Sequence, residues 1–231
     1  SASELPAPAE EKGEVQEAPY EPTKEGWIIY CDMDGVLTDW ERAFKEYVQN
    51  LHKTNNELYR KYVEFLKLDP EEENHFQGIN SRDDLKNKFG NKGKALSYRI
   101  NREVPQEWWS GMKWLSDGKT LWNAIKDLNP LILSTPAANN NKPEPTSVNG
   151  KKQWVQKHLG IDPKRVIIAI DKGAFVNNHK GLTEDEIGMK KILIDDTVKK
   201  VNSFKAKGGE AILHKNAAST IAKLKELGVI E

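Results

Sequence analysis

Asp32 and Asp34 stand two residues apart in CDMDGVLTD, at the end of the apolar run WIIYC (27–31). Side chains alternate along a strand, so the two carboxylates point the same way while Met33 points to the other face. Gly35 then lets the backbone turn sharply. The C-terminal end of a buried strand is where open α/β sheets bind their ligands. Two carboxylates placed there repel each other unless a cation or a shared proton relieves them. A calcium loop starting at Asp32 would need Gly at its sixth position and Glu at its twelfth. Those positions hold Leu37 and Ala43, which excludes it. A DxD metal motif of a nucleotide-sugar transferase stays open, although GVLTD is not its usual continuation. So does nucleophilic phosphoryl transfer, with Asp32 attacking phosphorus and Asp34 acting as general acid and then base. The plain structural alternative is a strand end whose aspartates cap a turn.

The elements that must carry these residues are legible as short apolar runs: WIIYC (27–31), PLILS (130–134), RVIIAI (165–170), KILI (191–194) and EAIL (210–213). They lack polar alternation, as strands covered on both faces do. Helical spacing separates most of them: Leu115, Leu121, Trp122, Ile125 and Leu128, then Trp154, Val155, His158 and Leu159, then Val198, Val201 and Phe204, then Ile221, Leu224 and Leu227. This alternation predicts an α/β, Rossmann-like, doubly wound parallel sheet. Between the first two strands, residues 38–129 exceed what one crossover helix needs. Trp40–Leu68 and Asp83–Ile100 read as helical, and VPQEWWSGMKWLSDGKTLW returns the chain to the sheet. The expected division is an acidic Pro/Ala/Glu-rich disordered tail (1–26), a catalytic core (27–39 and 115–231) and a helical cap (40–114) over the C-terminal sheet edge. NNNKPEPTSVNG (139–150) reads as a polar loop.

DxDGxxTD at the end of a first strand resembles the first motif of the haloacid dehalogenase-like superfamily, and the other motifs follow in order. LILSTP places Ser134, with Thr135 beside it, at the second. GKKQWVQKHLG offers Lys151 for the third, with Lys152 the adjacent alternative, and ILIDD supplies Asp195 and Asp196 for the fourth. The resemblance runs from Trp27 to about Leu213. It implies a HAD-like fold with a cap and a phosphatase, since an acid two residues after the nucleophile marks phosphatases and phosphomutases there. It also implies Mg²⁺ held by Asp32, the Asp34 main-chain carbonyl and the Asp195–Asp196 pair. One of that pair would ligate directly and the other through water. Ser134 and Lys151 would then stabilise charge spread over the phosphoryl oxygens. More narrowly, DMDGVLTDW, Ser-Thr-Pro, the Lys-x-x-Trp helix and LIDD are similar to the 5′(3′)-deoxyribonucleotidase branch and to small phage hydrolases. That likeness implies a nucleotidase acting on nucleoside monophosphates, with Trp40 facing the base. Phe44, Thr135, Trp108 and Trp109 are further candidate substrate contacts, and Tyr98 another aromatic of the cap. A phosphatase of sugar phosphates or nucleic-acid ends, and a non-catalytic assembly protein on the same fold, are the alternatives.

Balanced charge, 35 Lys+Arg against 35 Asp+Glu, gives no electrostatic footprint for nucleic acid or an anionic membrane. Mean hydropathy is −0.72, and no apolar run reaches the ~18 residues of a span, so no membrane partner is expected. The start of the chain has no signal-peptide pattern, and the lone Cys31 allows no internal disulfide. A cytoplasmic, reducing setting is the expectation. Cys31 reads as buried and inert, and the five histidines show no metal spacing. Asp171 and Lys172 follow the strand at 165–170, where they could line the site or cap a turn.

Overall fold

The computed structural model describes residues 17–231. Five parallel strands form one sheet in the order β5-β2-β1-β6-β7: β1 (Trp27–Cys31), β2 (Leu131–Ser134), β5 (Val166–Ile168), β6 (Lys190–Asp195) and β7 (Glu210–Leu213). β1 lies at the centre, with Tyr30 opposite Leu131 of β2 and Leu193 of β6. The period of two sorts the side chains into two buried layers. Ile29, Cys31, Ile132, Ile192 and Ile194 face one side, and Ile28, Tyr30, Leu131, Leu133 and Leu193 the other. Helices cover both layers, giving the α/β Rossmann-like doubly wound architecture expected from the uninterrupted apolar runs. After β5 the chain returns to the far side of β1, so the strand order reverses between β1 and β6. A ligand crevice forms at such a reversal.

The insertion after β1 carries four helices, α1 (Trp40–Thr54), α2 (Asn56–Phe65), α3 (Arg82–Glu103) and α4 (Gln106–Ser110), ahead of one more helix that leads into β2. The helix expected over 40–68 is broken at Asn55, which adopts φ −152° and caps α2 by accepting from the Leu58 amide. α3 is interrupted at Gly90, whose φ of 66° no helix contains. Apolar residues of this insertion (Phe44, Val48, Tyr62, Leu96, Ile100) form one continuous cluster with the Ile29 layer of the sheet. The two crossings of the insertion are also tied together. Asp39 donates its amide to the Lys113 carbonyl at 2.8 Å, and Leu115 donates to the Leu37 carbonyl at 2.8 Å.

The polar stretch 139–150 is less irregular than expected. A two-residue hairpin, β3 (Ala138–Asn139) with β4 (Lys142–Pro143), turns through Asn140 and Asn141, and α6 (Pro145–His158) starts five residues earlier than Gly150. Proline suits the first helical position because its missing N–H has no partner there. The remaining helices are α5 (Gly118–Ile125), α7 (Val198–Ala206) and α8 (Ala217–Glu226). Most of the expected disordered tail, residues 1–16, lies outside the described residues. Its last part is not a free tether, and the boundary expected at Gly26 moves back. Tyr20 donates its hydroxyl to the Met189 carbonyl and its amide to that of Lys207, each at 2.7 Å, and Thr23 donates to Gly188. Its ring also packs against the second buried layer. Among the described residues no helix is long and apolar enough to cross a membrane.

Candidate active site

Asp32, one residue past β1, is 5% exposed. Its Oδ1 accepts from the Met33 amide at 2.8 Å and lies 2.8 Å from the Lys172 ammonium. Oδ2 accepts nothing among the described residues. Burial opposes ionisation of this carboxyl, but Lys172 and then Lys200 outweigh it and hold it below its usual range. Lys172 is itself buried and sits between two carboxylates, 2.6 Å from Asp195 Oδ2. Those two acids, against the cost of burial, keep it charged above the ordinary lysine range.

Asp34 points toward α6. Its Oδ1 accepts from the Thr38 hydroxyl at 2.9 Å and its Oδ2 from the Lys151 ammonium at 2.9 Å. Lys151, on α6, also donates to Ser134 Oγ at 2.8 Å and to the Thr135 carbonyl at 2.6 Å, so all three of its protons are engaged. Lys200, on α7, donates to Thr135 Oγ1 at 2.5 Å. Burial and the nearby Lys172 hold Lys200 below the ordinary lysine range. Of the two lysines considered for the third motif, Lys151 is buried against Asp34 and Ser134, whereas Lys152 is exposed and lines a shallow hollow elsewhere.

Asp32, Asp195 and Asp196 each offer a carboxylate oxygen within 4.8 Å of the others. Both Asp195 oxygens are occupied, Oδ1 by the Thr197 amide at 2.8 Å and Oδ2 by Lys172. Asp196 has no cationic partner within ion-pair distance among the described residues. Burial, then Asp32 and Asp195, push its carboxyl up to about 7. Four carboxylates in this cluster therefore face three ammonium groups, Lys151, Lys172 and Lys200. The oxygen donors and the unbalanced charge suit a hard divalent cation, Mg²⁺ among them. Gly35 makes the arrangement sterically possible: at φ +79°, a Cβ there would lie 1.9 Å from Asp196 Oδ2.

These residues open into a cavity of about 700 Å³ between the C-terminal sheet edge and the insertion. Trp40, Thr135 and Trp109, three of the candidate substrate contacts, line it. Trp109 is 2% exposed and lies 5.3 Å below the Lys151 ammonium, so it also backs that lysine. Two expectations are corrected. Phe44 is fully buried beneath Trp40, its ring stacked at 5.0 Å, and Trp108 borders a separate 250 Å³ hollow on the outer side of α1. Helical periodicity could not separate Phe44 from Trp40, because residues four apart share one face of α1, nor Trp108 from Trp109, which are adjacent on the five-residue α4. Cys31 is buried as expected, its thiol held protonated by the absence of solvent.

Lys172, Lys200, Asn101 and Arg82 were not singled out by motif reasoning, although Lys172 stood open as a lining residue. A lysine just past a strand end was the one available signal for it. Arg82 opens α3 in the cavity wall, its guanidinium 3.9 Å from the Tyr98 ring centroid.

No family model matches the chain, and no curated protein matches it. Among solved structures it is similar to a hydrolase from Streptococcus pneumoniae TIGR4 at 13% identity, over 85% of this chain and 97% of that one, with a TM-score of 0.46. An L-2-haloacid dehalogenase from Xanthobacter autotrophicus is similar at 14% identity, over 88% and 84%, with a TM-score of 0.42. A HAD-superfamily hydrolase of subfamily IA from Geobacter sulfurreducens PCA is similar at 11% identity, over 86% and 96%, with a TM-score of 0.45. The solved structures that this chain is similar to thus include hydrolases of the HAD superfamily.

Proposed function

We propose that this protein is a Mg²⁺-dependent phosphomonoesterase that works through an aspartyl-phosphate on Asp32 and acts on nucleoside monophosphates. The observation that carries the reading is Asp32 itself: a buried carboxylate kept ionised by Lys172, with one oxygen free of hydrogen bonds and a second acid, Asp34, two residues on. Asp32 attacks phosphorus, the ester P–O bond breaks, and the leaving oxygen takes a proton from Asp34. Water then attacks the phosphorus of the aspartyl-phosphate and gives its proton to Asp34, and the bond to Asp32 breaks to release inorganic phosphate. Ser134, Lys151 and Lys200 receive the phosphoryl oxygens. As those oxygens take over the Lys151 ammonium, Asp34 is freed from its ion pair and takes from solvent the proton that it gives to the leaving oxygen; the proton from the attacking water then restores it for the next turnover.

Mg²⁺, held by Asp32, Asp196 and the Asp34 main-chain carbonyl, would supply charge neutralisation for an anionic substrate approaching an anionic nucleophile. Asp195, with both oxygens engaged, fixes Lys172 beside Asp32. The nucleoside reading rests on the aromatic wall. Trp40 is immobilised by Phe44 beneath it and by its Nε1 donating to Asn101 Oδ1 at 3.0 Å, and Tyr98 lies nearby in the same cavity. Such faces suit a stacked base. The test is phosphate release from ribo- and deoxynucleoside 5′- and 3′-monophosphates and from sugar phosphates, in Mg²⁺ or EDTA. Release is expected with Mg²⁺ alone, highest for a nucleotide, and reduced to below about a thousandth in Asp32→Asn. Release that survives in that variant would overturn the mechanism; preference for a sugar phosphate would overturn the substrate.

A further inference from the structure

Arg82, in the wall of the active cavity, is a cation that forms no ion pair among the described residues. Of its five N–H donors, only Nε–H is used, to Ser97 Oγ at 3.3 Å. Its two terminal nitrogens donate to nothing among the described residues, and Nη2 is buried. No carboxylate lies within ion-pair distance of it among the described residues. The guanidinium is nevertheless held in place, 3.9 Å from the Tyr98 ring centroid and 5.9 Å from that of Trp40. A partly desolvated charge with unsatisfied donors is costly. Here it also stands at the first position of α3, where the helix dipole disfavours a cation. Aromatic packing positions the group but satisfies neither its charge nor its hydrogen bonds. The surrounding cavity wall carries one more lysine, Lys215, with no carboxylate within ion-pair distance among the described residues.

We propose that Arg82 is the specificity-determining residue of the insertion and that it binds a second anionic group of the substrate, a phosphate or carboxylate distinct from the phosphoryl group presented to Asp32. This rests on the phosphomonoesterase reading and narrows its substrate class to esters that carry two anions. An anion meets both deficits at once, because it balances the charge and accepts the forked N–H pair, whereas a neutral acceptor meets only the second. With a nucleotide, the fitting form carries a further phosphate elsewhere on the ribose.

The test measures binding by tryptophan fluorescence, Trp40 being adjacent to Arg82, in the full chain with Mg²⁺ and with Asp32→Asn to stop turnover. Probes are a nucleoside 5′-monophosphate, the 3′,5′-bisphosphate of the same nucleoside, and a pair of sugar phosphates with and without a carboxylate. At least one two-anion probe is expected to bind tenfold or more tightly than its one-anion partner. Arg82→Gln should bring that ratio to within about twofold, and Arg82→Lys should restore part of it. Equal affinities within both pairs, or a preference that persists in Arg82→Gln, would overturn the proposal. The phosphate arm or the carboxylate arm identifies the anion. If Arg82→Gln does not fold, Arg82→Met, which keeps the packing of the stem, decides in its place. Because binding is read without turnover, a failed phosphatase assay leaves this result standing, and the two failures remain distinguishable.

Discussion

Asp196 and Gly35 show how closely the site residues constrain one another. The Asp196 carboxylate occupies the space a side chain at 35 would take, and burial beside Asp32 and Asp195 pushes it up to about 7 from an ordinary 3.8. A carboxyl whose folded value exceeds its unfolded one contributes stability that is complete below the unfolded value and is lost as pH rises through the folded value. In EDTA, the stability of wild type relative to Asp196→Asn is therefore expected to fall as pH rises from about 4 to above 7. His158 and His214, both held low by burial, act in the opposite sense and cancel in that difference. Adding Mg²⁺ should raise the wild-type melting temperature most above pH 7, where it no longer competes with a proton, and should raise that of Asp196→Asn much less. Thermal unfolding across pH checks all of this; a wild-type–variant difference that does not change with pH would refute it. At this scale the sequence was readable where chemistry sits at strand ends: Asp32, Asp34, Ser134 and the Asp195–Asp196 pair each lie within three residues of the end of an apolar run. Lys172 was legible only as one of two readings, lining the site or capping a turn, and Arg82 not at all, because what distinguishes either is its partner, or lack of one among the described residues, at the far end of a long side chain.

The meeting of α4 with α6 determines where Lys151 stands. At Gly150, one residue before that lysine, an added Cβ would lie 2.4 Å from the Trp109 Cβ and 2.7 Å from the Gln106 carbonyl. Gly150→Ala must push the two helices apart, which is expected to cost about 1–3 kcal/mol and to move the ammonium off Ser134. Gly78→Ala, with nothing within 4 Å of its Cβ, is the matched control and should lie within about 0.5 kcal/mol of wild type. Urea unfolding and phosphate release measure both effects; equal behaviour of the two variants would show that this contact does not position Lys151. The sheet strands were legible nearly to the residue, since strands buried on both faces admit no polar interruption. The start of α6 was hidden because Pro145, Thr146, Ser147 and Asn149 look like a loop by composition. What makes them helical is packing: Ser147 is fully buried and donates to the Glu144 carbonyl at 2.8 Å.

Over the whole molecule, the apolar interior of the insertion runs without a break into one face of the sheet. The described chain is therefore expected to unfold in a single transition, with tryptophan fluorescence and far-ultraviolet circular dichroism superimposing in urea. Separated curves would mean that the insertion melts on its own. Sequence periodicity located these helices but could not tell whether their apolar faces close on each other or on the sheet, since either partner satisfies the same pattern. The paired crossings at Leu37–Asp39 and Lys113–Leu115 bear on how such a fold can diversify. Entrance and exit are neighbours, so the strand order is indifferent to how many residues are spliced between them, and lengthening a joined loop costs little chain entropy. On the proposed reading, exchanging the spliced segment would replace Arg82 and Trp40 while leaving Asp32 and the strands that aim it in place. The one demand on any replacement is an apolar underside matching the sheet.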